Sequence, residues 1–302
     1  MNNNSHNNVN NMNQNHNKSK VIKQNTRMNQ TVNMKQNTRM DQTVNKKQNY
    51  RMDLMYDGSE FNGWQRLTNE NKKKSIQSCL EEVLSSYLNE DIKLIGSGRT
   101  DKGVHALNQV ANFYCKSLKD TSKLKDDMNQ LLPTGLVITN LQEVNDKFHA
   151  RFDVKSKTYE YRIQNNEVPS VFLNKYTYEV NNSLNLEKMR EGASYLIGTH
   201  DFSSFATKRE DVKSSIRTIY NIDITQFKNN NFGRTIHEIR VKITGNGFLY
   251  NMVRIIVGTL LEIGEGKRNP KDIIKLLENK ERSQAGPTIY GNGLFLVKVD
   301  YE

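Results

Sequence analysis

Cysteine is nearly absent from this 302-residue chain: Cys79 and Cys115 are the only two, and their separation matches no metal-binding spacing. Neither a disulfide scaffold nor a zinc site is therefore indicated. The six histidines, His6, His16, His105, His149, His200 and His237, include no i, i+4 pair that could grip a metal from one helix face. No apolar run reaches the roughly 18 residues that argue for a membrane-spanning helix, so no membrane partner is expected. The first residues lack the apolar core of a signal peptide. They also lack the Arg- and Ser-rich amphipathic pattern of a transit peptide, which leaves a cytoplasmic location as the expectation.

Residues 1–49 lack glycine, proline and aromatic side chains, and hold sixteen Asn and six Gln. Such a segment cannot bury enough apolar surface to offset its ordering entropy, so it is expected to be a disordered tail. It repeats with a period of twelve: Gln24-Asn25-Thr26-Arg27-Met28, Gln36-Asn37-Thr38-Arg39-Met40 and Gln48-Asn49-Tyr50-Arg51-Met52. Acid is also scarce there, with eight Lys or Arg against Asp41 alone. The tail thus supplies +7 of the net +11 and leaves +4 for the other 253 residues. Basicity of the whole chain is therefore a poor guide to nucleic-acid binding by the folded part, which would need a local patch.

From Tyr50 onward the pattern is that of a folded protein. Arg51–Tyr56 alternates as a strand, and from Ser75 a helix places Ile76, Leu80, Val83, Leu84, Tyr87 and Leu88 on one face. Ile92–Ile95 and Gln109–Phe113 read as strands. A helix over 121–132 turns Leu124, Met128, Leu131 and Leu132 inward and ends at Pro133. Val137-Ile138 and Thr158–Ile163 read as further strands. In the second half a helix near 185–197 stops at Gly198, and strands near 217–227 and 234–244 form a hairpin. Phe248–Ile263 is apolar nearly all round, as a buried helix would be. Asn269-Pro270 opens another helix with Pro at its first position, and Gly293–Tyr301 closes the chain as a strand. Helices and strands alternate in two similar halves with hairpins, so the expected class is α+β. The expected architecture is two mixed-sheet α/β domains, 50–155 and 156–302, flanking a basic catalytic cleft and preceded by the tail of residues 1–49.

The chemistry is expected in Gly96-Ser97-Gly98-Arg99-Thr100-Asp101-Lys102-Gly103-Val104-His105. Its glycines permit φ > 0 and close approach by a partner. Arg99 and Asp101 stand two apart, so an extended chain sends both side chains out by one face. A carboxylate there is either half of a salt-bridged turn or an anionic nucleophile with its counter-charge. A dinucleotide-binding loop is excluded, because Asp101 occupies the place of the third glycine of G-x-G-x-x-G and would repel a pyrophosphate. Arg254, inside the apolar stretch, is costly to bury unless paired. His105, His149 and Trp64 read as loop or core residues.

Six segments in order, YDGSEFNGWQ (56–65), GRTDKGVHA (98–106), FHARF (148–152), TYEY (158–161), FLYNMVRIIVGTLLEIG (248–264) and AGPTIYGNGLFL (285–296), resemble the TruA family of tRNA pseudouridine synthases. The resemblance spans residues 50–302. It implies isomerisation of uridine to pseudouridine at positions 38, 39 and 40 of the tRNA anticodon stem-loop. It also implies a homodimer that needs no metal or organic cofactor. By the same resemblance Asp101 matches the nucleophile, Tyr159 the tyrosine packing on the target base, Arg254 the active-site arginine, and Arg99 the arginine two residues before the nucleophile. The sequence departs from the family pattern at Ile255, at Ile289-Tyr290-Gly291, and at Thr158, where the basic residue is one place earlier as Lys157. A non-catalytic RNA-binding relative of the same fold is the alternative, although such a relative would be expected to lose the carboxylate. A glycoside hydrolase would need a second acid beside Asp101, and the loop offers none.

Pseudouridine formation breaks the N1–C1′ bond, turns the uracil and joins C5 to C1′. It calls for an anionic oxygen in a pocket without water. Desolvation raises the pKa of a carboxylate and a nearby guanidinium lowers it, so Arg254 is expected to keep Asp101 charged. Extruding the uridine costs a few kcal/mol, and stacking on an aromatic ring returns about 1–3 kcal/mol.

Overall fold

Alternation in the first folded segment builds its first strand. β1 (Gln48–Tyr56) buries Tyr50, Met52, Leu54 and Tyr56 on one face and pairs antiparallel with β4 (Leu136–Val144). The computed structural model describes residues 47–66, 74–210, 212–231 and 234–302. All but the last three positions of the Asn-rich tail lie outside the described residues, and so does the expectation of disorder.

Between these strands lie α1 (Ile76–Leu88), β2 (Ile95–Gly96), β3 (His105–Cys115) and α2 (Thr121–Leu131). Ser75 caps α1 by accepting the Ser78 N–H at 3.2 Å, and Asp120 caps α2 by accepting the Lys123 N–H at 2.9 Å. Ile76, Leu80 and Leu84 of α1 are buried as expected. Tyr87 is not; it lies outward and donates its hydroxyl to Asp127 of α2. On α2, Leu124 and Met128 face inward, but Leu131 points to solvent, and Leu132, just beyond the helix, is buried instead. The strand expected over Ile92–Ile95 shrinks to Ile95–Gly96, paired with Asn112 and Ala111. Side chains of α1 have already taken the backbone donors ahead of it: Ile92 N–H goes to Ser85 Oγ and Leu94 N–H to the Glu81 carboxylate.

The second half runs β5 (Ser156–Gln164), β6 (Tyr178–Glu179), α3 (Leu186–Ser194), β7 (Gly198–Asp201), β8 (Ile216–Asn231), β9 (Arg234–Gly245), α4 (Met252–Gly264), α5 (Asp272–Asn279) and β10 (Leu294–Asp300). β8 and β9 form the expected hairpin. Three boundaries differ from expectation. α3 ends near Ser194, where the N–H groups of Leu196 and Ile197 turn to i−3 carbonyls, so Gly198 opens β7 rather than capping the helix. α4 starts at Met252 rather than Phe248, because Asn251 takes φ +63° just before it, a conformation Asn tolerates better than most residues. Pro270 sits in the turn before α5, two residues short of its first helical position.

Among the described residues the strands make one ten-stranded mixed sheet in the order β4-β1-β3-β10-β5-β9-β8-β7, with β2 beside β3 and β6 beside β5. With its helices this is an α+β fold. The two halves of the sequence meet where β10 pairs parallel with β3 and antiparallel with β5. α4, buried nearly all round, packs on α3 and against β5. Tyr159, Tyr161 and Ile163 of β5 share one face by the two-residue period and are buried. The loop before β3, the middle of β5 and the first turn of α4 thus converge on one cleft.

Candidate active site

The loop between β2 and β3 is fixed from several sides. Ser97 N–H donates to the Val110 carbonyl at 2.7 Å, and Gln109 Nε2 donates to the Gly98 carbonyl at 3.0 Å. The Thr100 and Tyr56 hydroxyls share a hydrogen bond of 2.8 Å, and Trp64 N–H donates to the Thr100 carbonyl at 3.0 Å. Asp101 to Val104 is a β-turn closed by Val104 N–H on the Asp101 carbonyl at 3.1 Å. Gly103, third in that turn, has φ +81°, the value a type II turn needs and glycine adopts without strain. Gly58 must be glycine for a different reason: a Cβ there would lie 2.0 Å from the Val104 carbonyl oxygen. The YDG and GWQ segments are therefore the bed on which the Asp101 loop rests. His105 belongs to this framework. It is 1% exposed, its Nδ1 accepts the Gly58 N–H at 3.1 Å, and Nε2 faces the Lys175 carbonyl at 2.9 Å.

Asp101 meets Arg254, with Oδ2 and Nη1 3.4 Å apart. Arg254, in the first turn of α4, is held independently: Nε donates to the Ile289 carbonyl at 2.7 Å and Nη1 to Asn251 Oδ1 at 2.7 Å. Asn251 is tied in turn by Nδ2 to Thr207 Oγ1 at 3.0 Å. The guanidinium is thus pre-aimed, with 17% exposure of its side chain against 33% for Asp101. Burial raises the Asp101 pKa above its ordinary value, and Arg254, then Arg209, pull it back only in part. Desolvation wins the local contest, and the paired cation limits its margin.

Tyr159 reaches the same cleft from β5. It is 9% exposed, and its ring stands edge-on to Phe248 at 5.2 Å and 86°. Its hydroxyl has no hydrogen-bond partner among the described residues, and its pKa is raised, first by burial and then by the nearby Tyr56 and Asp101. Arg99 lines the cleft too, but it is exposed and makes no ion pair among the described residues. The counter-ion of Asp101 is therefore Arg254, 153 residues away in sequence, and not the arginine two places before it.

The cleft holds about 790 Å³ and, among the described residues, is lined by six cationic side chains, Arg99, Arg151, Lys157, Arg209, Arg217 and Arg254, against one carboxylate, Asp101. This is the local basic patch that whole-chain charge could not reveal. Sequence reasoning missed Arg209 and Arg217, which sit in or beside loops and carry no periodic signal. Lys157 was visible only as a displaced basic residue. Its ammonium donates to the Ser97 carbonyl at 2.6 Å, and burial, with Arg151 and Arg217 nearby, lowers its pKa to about 8.

One carboxylate beside a fixed guanidinium, with a tyrosine above a cationic cleft, is the arrangement expected of an enzyme that acts on a nucleoside within a polyanion. The family model described as tRNA pseudouridine synthase matches residues 54–153 and 193–302. The tRNA pseudouridine synthase A 2 of Bacillus cereus is 42% identical over 248 residues, covering 82% of this chain and 97% of that protein. The tRNA pseudouridine synthase A of Acetivibrio thermocellus is 42% identical over 246 residues, covering 82% of this chain and 96% of that protein. A Thermoanaerobacter protein of that name shows the same identity and coverage. The chain belongs to the tRNA pseudouridine synthase family, and it is an isomerase.

Proposed function

We propose that this protein converts uridine to pseudouridine at positions 38, 39 and 40 of the tRNA anticodon stem-loop, with Asp101 as the nucleophile. The observation that carries the proposal is the Asp101–Arg254 pair at 3.4 Å in a cleft whose lining holds no second carboxylate among the described residues. An extruded uracil packs on Tyr159 while the ionised Asp101 oxygen faces the sugar and base. The N1–C1′ bond breaks, the ring turns, C5 joins C1′, and the C5 proton is exchanged for one on N1. Arg254 limits the cost of keeping Asp101 ionised, and Arg99, exposed in the cleft lining, grips a backbone phosphate of the RNA. No helix among the described residues is long and apolar enough to cross a membrane; we place the protein in the cytoplasm and infer a homodimer.

Wild type and Asp101→Asn, incubated with an unmodified tRNA transcript, test this reading. Wild type forms pseudouridine in the anticodon arm, while Asp101→Asn forms none yet retains tRNA binding. Binding without product by wild type would make the chain an RNA-binding relative only, and release of free uracil would make it a hydrolase.

A further inference from the structure

Of the segment Phe148–Phe152 only Arg151 has a part in the site described so far, yet the whole turn is built with care. From behind, Phe148 packs on Tyr301 with ring centroids 5.1 Å apart. Ala150 is fully buried; its N–H donates to Asn112 Oδ1 at 3.0 Å and its carbonyl accepts the Tyr301 hydroxyl at 2.7 Å. From within, His149 N–H donates to Asp153 Oδ2 at 2.8 Å, and His149 Nδ1 accepts the N–H groups of Arg151 and Phe152, both at 3.2 Å. The outcome is a rigid turn whose outer face is aromatic. His149 and Phe152 stack at 4.2 Å and 25°, and Phe152 is 75% exposed.

An apolar ring left in water forgoes the roughly 1.5–3 kcal/mol that burial would return, and its contacts within the turn, His149 and the Arg151 guanidinium 5.9 Å from its centroid, still leave it 75% exposed. Both rings, with Arg151 between them in sequence, line the same cleft as Asp101. Six cations against one carboxylate among the described residues of that cleft suit a polyanion, and the π-face that a polynucleotide offers to an aromatic ring is a base. Tyr159 already serves the target uridine in the reading above, on which this inference rests. We propose that His149 and Phe152 form a stacking platform for a second, unpaired nucleobase of the bound RNA, next to the one that is modified, with Arg151 meeting its phosphate.

The test uses the full chain and an anticodon-arm RNA carrying 2-aminopurine on one side or the other of the target uridine. Wild type quenches the fluorescence of one of the two probes on binding. Phe152→Ala abolishes that quenching and weakens RNA binding by about 5- to 150-fold. Phe152→Trp restores both, whereas Phe152→Leu, apolar but without a π-face, does not. Unchanged quenching and affinity in Phe152→Ala would overturn the platform, as would rescue by Leu equal to that by Trp. So would a loss that tracks a change in sedimentation of the RNA-free protein, because the ring would then cover a second copy of the chain. Pseudouridine formation by wild type is scored separately. Product without quenching sinks the platform alone, and quenching without product sinks the isomerase reading while leaving the platform in place.

Discussion

Replacing Asp101 by Asn should abolish isomerisation and, at neutral pH, make the protein harder to unfold. Burial raises the Asp101 pKa above 3.8, and Arg254 and Arg209 cancel only part of that rise. An acid with a raised pKa binds its proton more readily in the fold than in the unfolded chain. Its contribution to stability is fully present below its ordinary pKa and is lost as pH rises through the folded value. At pH 7 the ionised side chain is therefore a net cost, which already includes its attraction to Arg254. Asparagine removes the charge and still offers an oxygen to Arg254 Nη1, 3.4 Å away in wild type. Each pKa unit corresponds to about 1.4 kcal/mol, to be discounted here because the side chain is 33% exposed and water screens it. For a folded unit of this size about 1 kcal/mol moves Tm by about 2–4 °C, so the variant should melt a few degrees above wild type. The assay is thermal unfolding followed by circular dichroism at pH 7 and at successively lower pH, without RNA. The gap should narrow as acid protonates Asp101 in the wild type. A variant that melts below wild type at pH 7, or a gap indifferent to pH, would refute the reasoning, since Arg254 would then be holding the carboxylate ionised at a net gain.

Other perturbations read the neighbouring residues. Arg254→Met removes the strongest attraction that offsets burial of the Asp101 charge, so the acid limb of the kcat/KM–pH profile should move to higher pH. Arg254→Lys, which cannot keep both the Ile289 and Asn251 bonds, should turn over more slowly; wild-type rates in both variants would remove Arg254 from the mechanism. Lys157 carries its charge below about pH 8, so RNA affinity measured by filter binding should fall as pH rises from 7 to 9, and Lys157→Met should flatten that dependence. Gly58→Ala drives a methyl to 2.0 Å from the Val104 carbonyl; it should cost about 1–3 kcal/mol and lower kcat through the displaced Asp101 loop, both read by unfolding and turnover assays.

What the sequence could disclose divides along physical lines. Strands with one buried face were legible because their period is two, as in β1. The long helix α4 was legible because it is apolar all round. Asp101 stood out because glycines crowd around it, and Arg254 because a cation in an apolar helix demands a partner. Spacing alone left that partner open, since Arg99 stands nearer to Asp101 in sequence; the family resemblance pointed to Arg254, and the ion pair is there. Element ends failed where side chains or tight turns captured backbone donors, as Glu81 and Ser85 do before β2. The missed arginines were hidden because an Arg in or beside a loop leaves no periodic trace, whether exposed like Arg209 or half-buried like Arg217.

The parallel pairing of β10 with β3 had no local signature either, yet the site depends on it. β3 carries the Asp101 loop, β5 carries Tyr159, and β10 lies between them, paired to both. α4, which packs against β5, brings Arg254 to the same cleft. Asp101 and Tyr159 come from opposite sides of the seam between the two halves, so the cleft they share does not exist in either half alone. Desolvation of Asp101 follows from that closure, and so does the guanidinium that limits it. The fold therefore places the electrostatic cost and its partial remedy together, at the seam where β10 pairs with both β3 and β5.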